Sequence, residues 1–443
     1  MKTLGIDLGT TKVAVVIVEN RHLLAAESAP HHAAVSLSDP DAAEQDVNKI
    51  FRCVKQLIAR FPDDLCHEIQ AVGITGQMHS IMFTGKNGEF SHLTTWQDHR
   101  CKEHMLSAFK ERSALQLREG FGGTTLARLA LEGNLSQYTA AAAIGDMLGA
   151  YLCGNDRICT DPTHAASWGI WDPESKNWNF HALEALNINP DILPEILPSG
   201  AVIGKISAER SEEFGIPAGI PVINAIGDNQ ASILGTGQNY DQEIYLTLGT
   251  GAQLSVVVPE DYAIQSEILE ARPFPNHKAL LVAAPLCGGS AFAVLADTVN
   301  EFRKELGEAP LSRGELLDKL DTAALTYLTG NGKPEIHIQP HFCGERYNPE
   351  LRGTIEGLTL NNITPGKLAA ALAVGIIQNL KKDFPEEILL HKKMVIGSGN
   401  AVRLLKSIQF VIQQEFALPL QLSNGVEEAA AGAAIFAGDN AKA

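Results

Sequence analysis

The chain has 443 residues, more than one hydrophobic core usually serves, so two or three domains are expected. Hydrophobic residues at 45% and charged residues at 20% give a globular balance, which excludes a disordered or fibrous chain. A formal charge of −17 repels phosphate backbones and anionic lipid and so disfavours nucleic-acid and membrane binding. It leaves ATP open as a ligand, because backbone N–H groups and Mg²⁺ can offset phosphate charge locally.

The opening segment predicts strand, tight turn, strand. Leu4 to Leu8 leads into Gly9-Thr10-Thr11, and Val13 to Val18 follows. A second segment repeats the design, with 244–248, Gly249-Thr250-Gly251 and 254–258. An internal duplication explains the likeness. Between them, 42–60 predicts an amphipathic helix, 69–74 a buried strand, 140–152 a helix, and 219–226 a strand delivering Gly227-Asp228-Asn229 to a helix from Gln230. The second half predicts a helix over 368–382, a strand over 394–396, a turn at Gly397-Ser398-Gly399-Asn400, one helix over 401–415 and an Ala-rich closing helix over 427–437. Gly and polar residues cluster over 235–242, which sets two domains at 1–238 and 239–443.

The seven cysteines are odd in number and none has CxxC spacing, so neither a disulfide framework nor a zinc ribbon is expected. The N-terminus shows no leader pattern, and the most apolar stretch, 279–296, is broken by Pro285, Gly288 and Gly289. The expected location is cytoplasmic.

No Walker-type GxxxxGK[ST] sequence occurs, so ATP would need another cradle. The Gly9-Thr10-Thr11-Lys12 turn can face phosphate oxygens with its N–H groups, and Lys12 adds a cation. Asp7 can hold Mg²⁺ through water. Gly249-Thr250-Gly251 is the matching turn, and Gly397 to Asn400 is a strand-to-helix turn of the kind that admits a nucleotide. Asp228, at the end of an apolar strand, is placed to accept a hydroxyl proton. Gln77, Met78 and His79 follow another apolar strand, and Trp96, Asp98 and Arg100 come soon after. Together they supply the directional donors and acceptors that a polyol pocket needs. Taken singly, each motif has a plainer reading: a hairpin turn for Gly9 to Thr11, a helix N-cap for Asp228, a core indole for Trp96.

Taken in order, the segments Ile6 to Thr11, Gly76 to His79, Gly227 to Ala231, Leu248 to Gly251, Gly397 to Asn400 and Glu427 to Ala434 resemble the FGGY family of carbohydrate kinases within the actin-like ATPase superfamily. The resemblance implies an α/β fold of two ribonuclease-H-like domains with the active site in the interdomain cleft. The first domain would carry sugar and base, and the second the nucleotide. It implies ATP and Mg²⁺ as cofactors, Asp228 as catalytic base, and Asp7 as the residue assisting the metal. Thr10, Thr11, Lys12, Gly249 and Thr250 would surround the phosphates, with Gly288 and Gly289 beneath the nucleotide and Gly399 and Asn400 near the adenosine. Gln77, Met78, His79, Trp96, Asp98, Arg100, Asp228 and Asn229 would contact the sugar.

Within the family, Thr95 to Asp98 with Arg100-Cys101, Gly120-Phe121-Gly122 with Thr124-Thr125, Ala165 to Gly169 and Gly375 to Leu380 are most similar to the sedoheptulose kinases. That implies phosphorylation of a ketose at its terminal hydroxyl, sedoheptulose to sedoheptulose 7-phosphate, with xylulose or another ketose or polyol as the alternative. Lys12 departs from the Ser of many relatives, and 394–400 lacks their run of glycines. A non-catalytic sensor of sugar or ATP is the rival from another class. Expected partners are a small-molecule ketose and ATP, with neither nucleic acid nor membrane; a homodimer stays open.

Overall fold

The computed structural model describes residues 1–237, 239–249, 251–264, 266, 268–345, 347–348, 350–423 and 425–441. Its contacts gather the chain into two units. One comprises Met1–Thr236, Arg272–His277 and Val426–Ala443, the other Gly237–Ala271 and Lys278–Gly425. Two consecutive segments, 1–238 and 239–443, do not describe this division, because the C-terminal helix returns to the first unit.

The first unit is built on a mixed sheet. Strands β1 (Lys2–Leu8), β2 (Lys12–Glu19) and β3 (His22–Pro30) form an antiparallel meander. Strand β4 (Ile69–Gly76) runs parallel to β1. Strands β5 (Val202–Lys205) and β6 (Pro221–Ile223) extend that side, and the two-residue β7 (Ile226–Gly227) also pairs with β4. The order is β3-β2-β1-β4-β6-β5. Leu4, Ile6, Leu8, Val13, Val15, Ile17, Val72 and Ile74 fill one face of the sheet against the Val47–Ile58 and Ile144–Cys153 helices. The first of these helices starts where Asp46 accepts hydrogen bonds from the Asn48 and Lys49 N–H groups, satisfying donors that a helix end leaves orphaned. A separate core around Trp168, Trp178, Phe109 and Leu126 supports the segment between β4 and β5.

The other face of the sheet is covered by the C-terminal helix Glu428–Asn440, whose Ala430, Ala434 and Ile435 pack on Ala14, Val16 and Val18. Glycines permit the close approach. A Cβ on Gly5 or Gly73 would overlap the Ala430 or Ala433 carbonyl, and one on Gly432 would overlap the Ala231 carbonyl. This packing makes the helix part of the first unit.

The second unit repeats the strand order. Strands β8 (Glu243–Leu248), β9 (Ala252–Pro259) and β10 (Lys278–Ala283) are antiparallel neighbours, and β11 (Met394–Ser398) and β12 (Leu420–Leu422) continue parallel from β8. These five run β10-β9-β8-β11-β12, the first unit's order of meander then parallel strands. The Arg313–Asn331 and Pro365–Lys381 helices close its core.

Local departures from the sequence expectation have visible causes. Residues 138–142 form a strand paired with Met82–Gly85, so the following helix starts at Ile144 rather than Ala140. The expected strand over 219–226 breaks at Asn224, whose N–H bonds to the Ala201 carbonyl. The single helix expected over 401–415 divides into Asn400–Leu404 and Lys406–Phe416.

Candidate active site

In the first unit the catalytic candidates gather at one end of the parallel strands. β1 ends at Leu8, β4 at Gly76 and β7 at Gly227, and Gln77 N–H donates to the Leu8 carbonyl at 3.0 Å. The Gly9 turn, the Gln77–His79 turn and Asp228 therefore share the carboxyl edge of the sheet, the end at which open α/β sheets bind ligands.

Asp7 and Asp228 interact across this edge. Burial, then the Asp228 and Glu427 charges, push the Asp7 carboxyl up to about 8, against a smaller opposing pull from Lys12. Asp7 Oδ1 is out of solvent with no hydrogen-bond partner. Such a carboxylate fits a cation, which would restore the ionised form and supply the missing ligand. Asp228 starts the Asp228–Thr236 helix, and its Oδ1 accepts the Asn229 N–H at 2.7 Å. Burial raises its carboxyl, while the Asn229 N–H, His164 and Arg272 draw it back down. Lys12 is half exposed and pairs with both Glu427 oxygens, at 2.6 and 2.8 Å, so its charge is already partnered within the unit.

The Gly9 turn is braced from three sides. Thr10 Oγ1 accepts Trp96 Nε1–H at 2.9 Å, and the Thr10 carbonyl accepts Gln45 Nε2–H at 2.7 Å and lies 3.1 Å from His31 Nε2. Because His31 Nδ1 accepts the Ala33 N–H, the proton sits on Nε2, which donates. Burial lowers the His31 pKa, which favours this neutral tautomer. Thr11 is exposed, and its carbonyl accepts the His31 N–H.

The sugar candidates separate into two kinds. Gln77 is buried, with Nε2 donating to Gln45 Oε1 at 3.0 Å and Oε1 unpartnered. His79 has φ +66°, a left-handed backbone rare outside glycine, held by its N–H on Ser167 Oγ and its Nδ1 2.6 Å from the Ser167 carbonyl. Its ring stacks on Phe121 at 4.6 Å. Trp96 keeps 45% of its surface exposed. Asp98 and Arg100 instead turn toward each other. Asp98 Oδ2 accepts Arg100 Nε–H at 2.7 Å and the Ala43 N–H at 3.1 Å, Oδ1 accepts the Arg100 N–H, and Arg100 also pairs with Glu44 at 2.7 Å. Both fix the loop that carries Trp96. Met78 is buried and packs beneath Gly227.

In the second unit, three glycine-bearing turns meet at the matching sheet edge. Gly249 N–H donates to Gly251 O at 3.1 Å, and Gly289 N–H to Gly249 O at 2.9 Å. A Cβ on Gly288 would overlap the Gly251 carbonyl, and one on Gly399, at φ +85°, the Leu248 carbonyl. Gly399 precedes the Asn400–Leu404 turn of helix, and Asn400 is exposed. Thr250 lies outside the described residues. The bare backbone left by Gly249, with open space where a Cβ would stand, suits phosphate oxygens.

A family model for the FGGY family of carbohydrate kinases, N-terminal domain, matches residues 2–235. A sedoheptulokinase of Homo sapiens is 30% identical over 474 residues, covering 98% of this chain and 96% of that protein. The chain belongs to the FGGY family of carbohydrate kinases. This kinase shares its fold with a xylulose kinase from Rhodospirillum rubrum, at TM-score 0.85 and 20% identity over 99% of this chain and 89% of that one. A Plasmodium falciparum glycerol kinase solved with ADP matches at TM-score 0.79 and 18% identity, over 100% and 90% of the two chains. The enzyme is thus a phosphotransferase with an alcohol acceptor on the actin-like ATPase fold, and ATP is the phosphate donor of the family.

The residues that sequence reasoning missed in this kinase are supporting ones. Gln45 and His31 brace the Thr10 turn, Ser167 holds His79, and Glu427 faces Asp7. Each lies far along the chain from its partner, so no local motif announced the contact, although Ser167 and Glu427 stand within the segments 165–169 and 427–434 singled out above. Asp161 caps the Pro162–Ser167 helix, accepting the Thr163 and His164 N–H groups.

Proposed function

We propose that this kinase transfers the γ-phosphate of ATP to the terminal hydroxyl of sedoheptulose, giving sedoheptulose 7-phosphate, with Asp228 as the base. Support for the base comes from the Asp228 carboxylate at the carboxyl edge of the first sheet, beside Asp7 and the Gln77–His79 turn. Support for the seven-carbon ketose comes from the human sedoheptulokinase, aligned over nearly the full length of both chains. Gln77 Oε1, the His79 ring and the exposed face of Trp96 are the proposed sugar contacts, with Met78, Asp98, Arg100 and Asn229 shaping the loops around them.

In the proposed step, the sugar hydroxyl oxygen bonds to the γ-phosphorus as the bond from that phosphorus to the β–γ bridging oxygen breaks. The hydroxyl proton passes to the Asp228 carboxylate, and ADP leaves. Asp228 is fixed at a helix start, so little reorganisation is needed at transfer. Thr10 and Thr11 from the first unit, with Gly249, Thr250, Gly288, Gly289, Gly399 and Asn400 from the second, are assigned to the nucleotide. Asp7 would hold Mg²⁺, which offsets phosphate charge when bound. Free cysteines suit a reducing compartment, and the proposed location is the cytoplasm. No helix among the described residues is long and apolar enough to cross a membrane.

Asp228→Asn tests the assignment. The amide keeps the shape and loses the base, so turnover should fall roughly 10²-fold or more while ADP binding stays within about twofold of wild type. Turnover near wild type would remove Asp228 from the role. A panel of sedoheptulose, xylulose, ribulose, gluconate and glycerol, with product phosphate position read by NMR, tests the acceptor. A kcat/KM for xylulose above that for sedoheptulose would overturn it.

A further inference from the structure

The peptide group joining Ile226 to Gly227 is held at both ends by buried threonine hydroxyls. Its carbonyl accepts from Thr75 Oγ1 at 2.7 Å, and its N–H donates to Thr163 Oγ1 at 2.8 Å. Thr75 and Thr163 are fully buried. They come from different elements: Thr75 from β4, where it pairs with Ile226, and Thr163 from the Pro162–Ser167 helix.

The Thr163 hydroxyl has a fixed direction. Its oxygen lies 2.6 Å from Asp161 Oδ1, which also accepts the Thr163 and His164 N–H groups, while Asp161 Oδ2 accepts Ser199 Oγ–H at 2.5 Å. A hydroxyl has one proton and a carboxylate only accepts. The proton therefore goes to Asp161, and the oxygen lone pairs face the Gly227 N–H. Asp161 thus orients Thr163, and Thr163 orients the peptide.

Gly227 explains the need for this clamp. A Cβ there would lie 2.7 Å from Gln230 Oε1 and 2.9 Å from Met78 Sδ, so any larger residue would have to displace both side chains. Glycine also removes the steric restriction on the peptide planes at its two sides. A rotation of the 226–227 plane would swing the next residue, Asp228. The two hydroxyls supply the restraint that a side chain cannot.

We propose that Thr75 and Thr163, the latter backed by Asp161, are positioning residues that set the aim of Asp228 by clamping the peptide before it. This rests on the reading of Asp228 as the base. Thr163→Val, isosteric but without the acceptor, lowers kcat roughly 30-fold, since misplacement of a reacting group by about 1 Å costs up to about 10²-fold. KM for sugar and for ATP stays within about twofold. Thr163→Ser, which keeps the hydroxyl, returns kcat to within about threefold of wild type. Thr75→Val and Thr75→Ser repeat the pattern from the other side of the peptide, and serve if Thr163→Val does not fold.

The deciding measurement places Thr163→Val in the Asp228→Asn background, with rates normalised to folded protein by thermal melts. With no base to aim, the second substitution costs less than about twofold. Equal losses in both backgrounds, or a serine variant as slow as the valine one, reduce the threonines to general braces and overturn the clamp. Full turnover in Asp228→Asn alone overturns the base and the clamp together. Loss in Asp228→Asn with unchanged kcat in Thr163→Val overturns the clamp only.

Discussion

His164 is 1% exposed, with Nδ1 3.1 Å from Asp146 Oδ1. Burial disfavours its charged form, but Asp146, then Asp161 and Asp228, outweigh that cost and push its pKa up to about 9. The folded protein thus binds this proton more tightly than the unfolded chain, whose histidine titrates near 6.5. The resulting stabilisation is complete below about pH 6.5 and is lost as pH rises toward about 9. We expect wild-type stability to decline across that window by on the order of 3 kcal/mol. His164→Gln, less stable at pH 6, should lack that decline. Chemical denaturation from pH 6 to pH 10 checks both curves, and identical slopes would show that His164 is neutral throughout. The same cation bears on the proposed chemistry, since it favours the ionised, proton-accepting form of Asp228.

Among the elements, the C-terminal helix separates two effects of a glycine. Gly432 sits where an added Cβ would overlap the Ala231 carbonyl, in the helix that starts at Asp228, whereas an added Cβ on Gly438 comes no nearer than 3.4 Å to Thr3 Cγ2. Gly→Ala in a helix gains up to about 1 kcal/mol from propensity. At Gly438 that gain stands, so Gly438→Ala should stabilise by about 0.5 kcal/mol. At Gly432 the obstacle is backbone, which cannot rotate aside, so overpacking wins. Gly432→Ala should cost about 3 kcal/mol and lower kcat as the Asp228 helix shifts. Paired denaturation curves decide this, and a stabilising Gly432→Ala would show that the two helices part freely. Elements like this helix were legible in the sequence because alanine content and period are local. So were the two Gly-Thr hairpins and the Asp228 turn, each marked by a turn between apolar runs. The break at Leu405 was not, because Asp321 caps the second helix from across the unit, its carboxylate accepting the Lys406 and Ser407 N–H groups at 2.9 and 2.8 Å. The pairing of Asp98 with Arg100 was equally hidden, since a charged residue near a pocket reads the same in sequence whether it faces a ligand or a neighbour.

For the whole molecule, chain order and unit membership disagree. The first unit needs residues 426–443, which follow the entire second unit in sequence. A unit whose closing helix follows the whole second unit in sequence cannot complete its core until that second unit has been synthesised. Removing that segment exposes the glycine-lined face of β1 and β4 together with Ala14, Val16 and Val18. The second unit keeps its own core of Ile244, Leu246, Leu254, Val256, Ile376 and Ile377, which draws nothing from the missing helix. A chain ending at Gly425 should therefore show no phosphorylation of any ketose and strong binding of a hydrophobic dye. It should also keep one cooperative unfolding transition, contributed by the second unit. Glu427, the one proposed site neighbour lost with the segment, is controlled by Glu427→Gln, which keeps the helix and should melt as wild type does. Calorimetry on the three proteins distinguishes the outcomes: a truncated chain with the full wild-type profile and turnover would mean that the first unit folds without its final helix.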